Sequence, residues 1–374
     1  MSAVFGNVLN IQWQQVVMWL VGALLIYLAI KKDMEPALLL PMGFGAILVN
    51  PPLSGAVTQI YDGVEEIGAI DLLFNSGVAN ELFPLLLFIG IGAMIDFEPL
   101  LSNPKLMIFG AAAQFGIFFT LSMATLLGFD IKDAASIAVI GAADGPTSIY
   151  VANFLHSDYI GPIIVAAYSY MALVPIVQPP VIKLLTTKKE RLIRMDNSQG
   201  RPVTKTAKIL FPIGVTVITG LISPKSVVLV GFLMFGNLIR ECGVLNSLSE
   251  TAQKVLANLI TLLLGLTVAS KMTAEAFLNL RTLMILGLGL VAFIFDTAGG
   301  VIFAKIMNLF LKKKVNPMIG AAGISAFPMS ARVVHKMGLA EDKQNFLLMH
   351  AVGANVSGQI ASVVAGGLIL NFFG

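Results

Sequence analysis

Charged residues are scarce in this chain of 374 residues. Lys and Arg number 24 and Asp and Glu 21, together 12% of the chain, about half the roughly 25% of soluble domains. Hydrophobic residues make up 57%, so the chain cannot cover a soluble surface of its own size. The composition predicts an integral membrane protein rather than a soluble enzyme. The net charge of +3 gives no sign of a nucleic-acid partner.

Cysteine is almost absent. Cys242 is the only one, which excludes an intrachain disulfide and any zinc or iron–sulfur site built on several cysteines. The three histidines, His156, His335 and His350, are scattered and lack the HExxH spacing of a zinc protease. We therefore do not expect a metal enzyme built on His and Cys.

Long apolar runs alternate with short clusters of charge. The runs 106–129 and 159–182 contain no charge, and each reaches the roughly 20 residues that a membrane-spanning helix needs. Counting such runs predicts an all-α, polytopic membrane protein with about eleven transmembrane helices. The run 209–239 is either one bent helix or a hairpin, which would make twelve.

The charge pattern divides the chain into four parts. We predict a leading transmembrane helix at 1–33, a first membrane repeat at 34–184, a basic cytoplasmic loop at 185–208 and a second membrane repeat at 209–374. Residues 183–208 contain eight Lys or Arg against two acids, which indicates the cytoplasmic side. The first ten residues contain no Lys or Arg, so we expect the first run to stay in the membrane rather than be cleaved as a signal peptide.

Two further features do not fit the simple count. Lys31–Lys32 and Lys312–Lys314 cannot both join the basic loop on one side if the chain crosses eleven times. The stretch 51–81 contains five acids and no base. We expect an amphipathic helix there, near VTQIYDGVEEIGAI.

The two halves of the chain resemble each other. LFIGIGAM at 87–94 matches LLLGLTVA at 262–269, KLMIFG at 105–110 matches TLMILG at 282–287, and IGAADGPTS at 140–148 matches IGAAGISAFPMS at 319–330. Duplicated units of this kind are typical of ion-coupled transporters. Copies with five crossings must be inverted and copies with six parallel; we expect inverted repeats. The alternative is the general similarity of membrane helices.

Both copies are interrupted at the same place. Glycine and proline break two apolar runs at Gly141, Gly145 and Pro146 and at Pro317, Gly320, Gly323 and Pro328. Proline removes a backbone donor and glycine permits sharp turns, and unwound backbone survives in a bilayer only when it is buried in protein or lines a wet cavity. Each half therefore contains a broken helix, and two broken helices that face each other offer carbonyl oxygens to a monovalent cation. The alternative is a pair of proline kinks that serve packing.

Two acids lie inside apolar runs. Asp144 lies at the first break, where a carboxylate is costly unless it is paired or solvated and is a functional candidate by default. It would bind Na⁺ or a proton; the alternative is a protonated structural residue. For Asp296, in FIFDTAGG, a site role and a structural role are equally open.

Several neutral or basic side chains accompany the breaks. Asn316, Ser325 and Asn355 offer neutral oxygens, and the alternative for each is a hydrogen bond between helices. Tyr170 offers a phenolic hydroxyl or serves as an interfacial anchor. Arg332 offers a planar, bidentate anchor for a carboxylate or marks the membrane surface.

The longer motifs point to a family. GAADGPTSIY at 141–150, AAYSYMALVPIVQPP at 166–180, VNPMIGAAGISAFPMSARV at 315–333 and ANVSGQIAS at 354–362 resemble the membrane β subunits of the sodium-pumping, biotin-dependent decarboxylases. That family includes the oxaloacetate, methylmalonyl-CoA, glutaconyl-CoA and malonate systems. The likeness extends over most of the chain, from MIDFEPLL at 94–101 onward.

The resemblance implies a reaction and roles for residues. The chain would decarboxylate carboxybiotin, consume a proton and export Na⁺. Asp144, Tyr170 and Arg332 would be catalytic, with Tyr170 and Arg332 on carboxybiotin. The Na⁺ ligands would be Asp144, Asn316, Ser325 and Asn355, with Gly320 and Asp296 in support.

The resemblance also implies partners. They are a biotin carrier protein or domain, a carboxyltransferase α subunit, a small membrane anchor subunit and the lipid bilayer, in a homo-oligomer of the bacterial cytoplasmic (inner) membrane. No biotin-attachment motif is present, so carboxybiotin must arrive on a partner, and the acyl substrate is chosen by the carboxyltransferase. The competing hypotheses are a Na⁺-coupled secondary transporter of a small anion and a non-catalytic membrane scaffold.

Overall fold

The structure is a computed structural model that describes residues 9–32, 34–61, 63–195 and 202–374. Part of the predicted leading helix (1–8 and 33) and part of the basic loop (196–201) lie outside the described residues. The rest is almost entirely helical and confirms an all-α, polytopic membrane protein.

The first half contains ten α-helices among its described residues. They are α1 Trp13–Lys32, α2 Pro36–Val49, α3 Ala69–Gly77, α4 Leu82–Met94, α5 Glu98–Ser102, α6 Met107–Ala113, α7 Phe115–Leu126, α8 Ile131–Ala138, α9 Gly145–Phe154 and α10 Ile160–Leu185. Short 3₁₀ turns at Pro104–Leu106 and Val139–Ala142 precede α6 and the first break.

The described part of the chain after α10 is also mainly helical. It contains α11 Lys188–Arg191, α12 Lys205–Ile222, α13 Val227–Glu241, α14 Asn246–Glu250, α15 Ala257–Val268, α16 Ala274–Phe277, α17 Leu280–Phe310, α18 Met318–Ala321, α19 Met329–Glu341 and α20 Leu348–Phe373. A π-helical stretch at Thr251–Leu256 joins α14 to α15, and 3₁₀ turns follow α12 and α15 at Pro224–Ser226 and Ala269–Lys271.

The acidic stretch 51–81 does contain an amphipathic helix, α3, but that helix begins only at the end of VTQIYDGVEEIGAI, so the predicted position is wrong. Strands β1 Gln59–Tyr61 and β2 Val64–Glu66 pair antiparallel, and α3 follows them. Gly63 has φ +80°, which glycine adopts without steric cost. The Asp-Gly pair in the sequence is a recognised signal for a tight hairpin turn.

Long apolar helices account for only part of the predicted crossings. Within the described residues seven helices are long and apolar enough to span a membrane, or eight if α3 and α4, bent by 64°, form one span. The remaining apolar runs form shorter helices, such as α2 and α13, and the two broken segments. The count of eleven therefore stays a prediction.

The run 209–239 forms a helical hairpin. Helices α12 and α13 are joined by the turn Pro224–Ser226. Gly220 faces the Val227 side chain, and Gly231 faces the methyl group of Thr216. The alternative of one bent helix is therefore not observed.

The first broken segment also turns back on itself. Asp133 lies at its start, and the Asp133 Oδ1 atom accepts hydrogen bonds from Ser157 Oγ at 2.6 Å and from the Asp158 backbone N–H at 3.1 Å. The two ends of residues 131–158 therefore meet. We name this segment the first hairpin; its tip is formed by residues 139–145.

The second broken segment behaves in the same way. Near its start, Asn316 Nδ2 donates to the carbonyl oxygens of Arg191 and Ile193, each at 2.9 Å. At the end of α19, the Glu341 carboxylate accepts a hydrogen bond of 2.6 Å from Arg191 Nε. Both ends therefore lie on the loop that follows α10, and we name residues 316–345 the second hairpin.

The hairpins explain one misfit of the sequence count. Lys312–Lys314 come just before Asn316, whose amide contacts the basic loop. These lysines therefore lie on the same side as that loop, as the positive-inside rule favours. The count of eleven crossings includes each broken segment as a transmembrane helix. A segment that turns back leaves the following part of the chain on the opposite side of the membrane from the one that such a count assigns.

Candidate functional site

Asp144 lies at the tip of the first hairpin. The preceding residue, Ala143, has the left-handed conformation φ 52°, ψ 41°, which is strained for a residue with a Cβ atom. This turn ends the 3₁₀ segment and makes Asp144 the N-cap of α9. The Asp144 carboxylate accepts hydrogen bonds from the Thr147 backbone N–H at 3.3 Å and from Thr147 Oγ1 at 2.7 Å, a capping arrangement that stabilises a helix start.

Helix α20 completes the surroundings of the carboxylate. Gln359 Nε2 and Ser362 Oγ donate to Asp144 Oδ2 at 3.0 and 2.8 Å. Asp144 is buried, and no ion pair links it to a basic side chain in the described part of the chain. The protein thus provides neutral donors around a carboxylate, which leaves room for an external cation to balance the charge.

The second hairpin meets the first at its tip. The Ser325 backbone N–H donates to the Ala142 carbonyl oxygen at 3.3 Å, and Ser325 Oγ donates to the same oxygen. On α20, Asn355 Nδ2 donates to the Ile324 carbonyl oxygen at 2.6 Å. The structure therefore gathers the predicted residues Asp144, Ser325 and Asn355 around the hairpin tips.

Asn355 leaves one acceptor free. Its Oδ1 atom is buried without a hydrogen-bond partner among the described residues. A buried amide oxygen without a partner is costly. Asn355 comes one helical turn before Gln359, which bonds Asp144, so the free oxygen fits a hard cation that prefers oxygen ligands.

Glycines allow the hairpins to approach their neighbours closely. A Cβ atom at Gly358 of α20 would lie 2.1 Å from the carbonyl oxygen of Gly323, and one at Gly320 would lie 1.9 Å from the carbonyl oxygen of Gly300 in α17. No side chain fits at such distances. Gly320 therefore allows the second hairpin to lie directly against α17.

Asn316 and Tyr170 are not brought to Asp144 by any described hydrogen bond. The Asn316 amide bonds the loop after α10, and its Oδ1 atom accepts from the Met318 backbone N–H at 3.1 Å. The Tyr170 hydroxyl donates to the Leu286 carbonyl oxygen near the start of α17. Both side chains therefore use their polar atoms at other contacts.

Arg332 lies in the first turn of α19, just after the tip of the second hairpin. Its side chain is exposed. It makes no hydrogen bond or ion pair within the described residues. The donors of the Arg332 guanidinium are therefore available to an external anion.

Asp296 is fully buried in α17, away from the hydrogen bonds of Asp144. Its Oδ1 atom accepts a hydrogen bond from the Gly116 backbone N–H, where the chain breaks between α6 and α7. Its Oδ2 atom has no partner among the described residues.

Four residues near Asp144 were not predicted from the sequence. Thr147, Gln359 and Ser362 bond its carboxylate. The ring of Tyr168 lies against Gly145, where an added Cβ atom would be 2.5 Å from Tyr168 Cζ. The Tyr168 hydroxyl is buried and has no hydrogen-bond partner in the described part of the chain.

A usable signal existed for two of these residues. Gln359 and Ser362 follow Asn355 at the helical spacing of four and seven residues, so all three share one face of α20. Tyr168 and Tyr170 are two residues apart on α10 and face different directions, so only the packing distinguishes them.

The chain is a polytopic membrane protein in which two hairpins meet beside a buried carboxylate. This architecture is typical of subunits that move ions across a membrane. Comparison with known proteins specifies the family. The family described as the Na⁺-transporting oxaloacetate decarboxylase beta subunit matches residues 14–373. This chain belongs to that family.

Named relatives cover nearly the whole chain. The β subunit of methylmalonyl-CoA decarboxylase from Propionigenium modestum is 49% identical over 96% of this chain and 95% of its own length. The β subunit of glutaconyl-CoA decarboxylase from Acidaminococcus fermentans is 50% identical over 97% and 94%. A probable oxaloacetate decarboxylase β chain from Vibrio cholerae is 44% identical over 97% and 96%.

Proposed function

We propose that this chain is the membrane subunit of a sodium-pumping decarboxylase, in which decarboxylation of carboxybiotin drives Na⁺ out of the cell. Membership of the family supports the reaction class. The observation that carries the residue assignment is the buried Asp144 carboxylate, which neutral donors surround at the meeting point of two hairpins. The rival, a Na⁺-coupled carrier of a small anion, would transport Na⁺ along a solute gradient without biotin.

In this proposal Asp144 and its neighbours bind Na⁺. Asp144 provides the charge, and Ser325 and Asn355 provide neutral oxygens beside it. Asn316 holds the second hairpin to the loop after α10 and acts on the ion indirectly. Because both cations would compete for one carboxylate in a medium of low dielectric constant, arrival of a proton weakens the hold on Na⁺.

Arg332 is the proposed anchor for the carboxylate of carboxybiotin. Its guanidinium is exposed and unpaired in the described structure, and the planar fork suits bidentate binding of a carboxylate. The proton consumed by the reaction needs a donor near the hairpin tips. We assign this proton relay to Tyr170, for which the resemblance implies a catalytic role. The alternative is Tyr168, whose ring lies against Gly145 and whose hydroxyl has no partner among the described residues, whereas the Tyr170 hydroxyl bonds Leu286.

The proposal includes partners and a location. Carboxybiotin comes on a carrier protein, a carboxyltransferase α subunit loads that carrier, and a small anchor subunit holds the complex to this chain. The assembly is placed in the bacterial inner membrane as a homo-oligomer. Na⁺ and carboxybiotin are both cargo or substrate here, and neither is attached to the chain.

The carboxyltransferase chooses the acyl substrate, but alignment lengths group this chain with the β subunits of two decarboxylases named for acyl-CoA thioesters, and we assign a substrate of that class to its complex. The alignments to the methylmalonyl-CoA and glutaconyl-CoA relatives extend over 378 and 362 residues, and that to the Vibrio cholerae chain over 418. This chain has 374 residues, so the last alignment contains at least 418 − 374 = 44 positions that this chain lacks. Na⁺ uptake by the native complex, driven by oxaloacetate but by no acyl-CoA, would contradict this assignment.

The test of the site is Asp144→Asn in the complex reconstituted into proteoliposomes. We expect Na⁺ uptake and Na⁺-stimulated decarboxylation to fall about a hundredfold or more, the scale of losing a positioned charged group. Asp133→Asn is the matched control, because Asp133 is also a buried, hydrogen-bonded aspartate of the first hairpin. Wild-type turnover in Asp144→Asn would refute the site.

The test of Arg332 is Arg332→Lys. Lysine keeps the positive charge and loses the fork, so we expect a higher concentration of carboxybiotin carrier at half-maximal rate. The concentration of Na⁺ at half-maximal rate should stay unchanged. The anchoring role would be contradicted if the concentration of carboxybiotin carrier at half-maximal rate, like that of Na⁺, stayed unchanged.

A further inference from the structure

Asp296 is a second acid at the depth of the hairpin tips. It lies sixteen residues after the start of α17 at Leu280 and fourteen before its end at Phe310. At 1.5 Å per residue it is about 20 Å from either end, in the middle of a membrane-spanning helix. An ionisable side chain at such a position is a functional candidate, and the Asp144 site does not use it.

The polar surroundings of Asp296 are incomplete. Gly116 N–H donates to Oδ1, and Oδ2 has no partner among the described residues. Three more buried side-chain oxygens on α17, on α7 and just before α7 also lack a partner in the described part of the chain: Thr297 Oγ1, Thr120 Oγ1 and Gln114 Oε1. A bare carboxylate with one hydrogen bond is costly in this setting, whereas a neutral carboxyl group is much less so.

No ion pair links Asp296 to a basic side chain among the described residues. Among the elements packed against α17, four contain no Lys, Arg, His, Tyr, Asp or Glu: α6, α7, the turn Val139–Ala142 and α18. Helix α10 contains Tyr168, Tyr170 and, in its last turn, Lys183, and α16 contains Glu275. On α10 the hydroxyl of Tyr170 bonds Leu286, ten residues away from Asp296 along α17. Lys132 and Asp133 of α8 lie at the end of the first hairpin where its two strands of chain meet.

Asp296 also contacts the supports of both hairpins. A Cβ atom at Gly116 would lie 2.2 Å from Asp296 Oδ1, and one at Gly141, in the first hairpin, would lie 3.3 Å from the Gly116 backbone. One turn further along α17, Gly300 packs against Gly320 of the second hairpin. A change in charge at Asp296 would therefore alter the packing at the contacts of both hairpins with α6, α7 and α17.

We propose that Asp296 is a proton-binding site of the membrane core, separate from the Na⁺ site and occupied by a proton while the hairpins have the arrangement seen here. This inference rests on the proposed pump, because the proton is assigned a step in its transport cycle. The proton leaves Asp296 and returns to it as the hairpins move at their glycine contacts with the neighbouring helices. The competing role is an ionised carboxylate that only caps the start of α7.

The test begins with infrared spectroscopy of the purified complex at neutral pH. We expect a carbonyl absorption of protonated carboxyl groups that loses one component in Asp296→Asn and keeps it in Asp133→Asn. An unchanged spectrum in Asp296→Asn means that Asp296 is ionised, and the proposal fails. This readout does not depend on decarboxylation, so it separates this proposal from the pump itself.

Asparagine has the shape of a neutral aspartic acid and keeps an acceptor for Gly116 N–H. Asp296→Asn should therefore assemble as the wild type does; loss of assembly in this variant alone would indicate a required negative charge and overturn the proposal. In proteoliposomes we expect Na⁺ transport to fall about a hundredfold or more, while Na⁺ still protects the complex against thermal unfolding. Transport at the wild-type rate would also overturn it.

Discussion

The contact between Gly300 and Gly320 provides a sharp test of how the second hairpin is held. In Gly300→Ala the new Cβ atom would lie 2.1 Å from the Gly320 carbonyl oxygen, so backbone must move. Overpacking of this kind costs about 1–3 kcal/mol. The change also removes a glycine from a helix interior, which favours the helix by up to about 1 kcal/mol.

A second glycine of α17 gives the matched control. Gly287 is exposed, and a Cβ atom there would meet nothing within 4 Å. Gly287→Ala therefore gains helix propensity alone, and the two variants should differ in free energy of unfolding by about 1–3 kcal/mol, the packing cost, because the helix gain cancels.

The assay is unfolding of the purified protein in mixed detergent micelles with increasing denaturing detergent, followed by circular dichroism. Na⁺ uptake in proteoliposomes is measured on the same variants. We expect Gly300→Ala to lose stability and transport and Gly287→Ala to keep both. Equal behaviour of the two variants would refute the close approach of the second hairpin to α17.

Two further predictions concern the loop after α10. The Arg194 guanidinium, together with the backbone N–H of Gln344, holds the pKa of Asp342 below its ordinary value. The ionised Asp342 carboxylate therefore stabilises the fold above about pH 4, and this contribution is lost as the pH falls through the lowered pKa of the folded state. The melting temperatures of the wild type and Asp342→Asn should converge at that acidic pH. A difference in melting temperature that stays constant with pH would contradict this. Arg191→Lys loses one of the guanidinium contacts to Glu341 and the loop. We expect the free energy of unfolding to fall by about 1.5–3 kcal/mol in the same detergent unfolding assay. An unchanged free energy of unfolding would show that the ion pair does not stabilise the protein.

Composition and motif spacing predicted the class of protein, the two breaks and three of the residues around the hairpin tips. These features depend on local chemistry: apolar runs need lipid, and glycine with proline interrupts a helix wherever it occurs. Asp144 was found because a charge inside an apolar run is rare. Ser325 and Asn355 were predicted as neutral oxygens that accompany the breaks, and the family motifs include both residues.

The direction of the chain after each break could not be predicted from the sequence. Glycine and proline indicate that a helix stops. That the chain then turns back to the same side is seen only in the contact of Asp133 with Ser157, which are far apart in sequence. The same limit applies to Asn316, whose residue type suits an ion ligand and whose amide is used by two loop carbonyls. Within the acidic stretch 51–81, the amphipathic helix α3 lies further along the chain than predicted, because the paired strands β1 and β2 occupy most of VTQIYDGVEEIGAI.

The capping of α9 by Asp144 has a consequence for the return half of a transport cycle. The N-terminus of a helix carries about half a positive elementary charge, and the Thr147, Gln359 and Ser362 donors add to it. If Asp144 binds Na⁺ as proposed, these donors would still hydrogen-bond its carboxylate after the ion has left, which would lower the free-energy cost of returning without Na⁺. The same donors would compete with Na⁺ for the carboxylate, which would favour release of the ion on the far side.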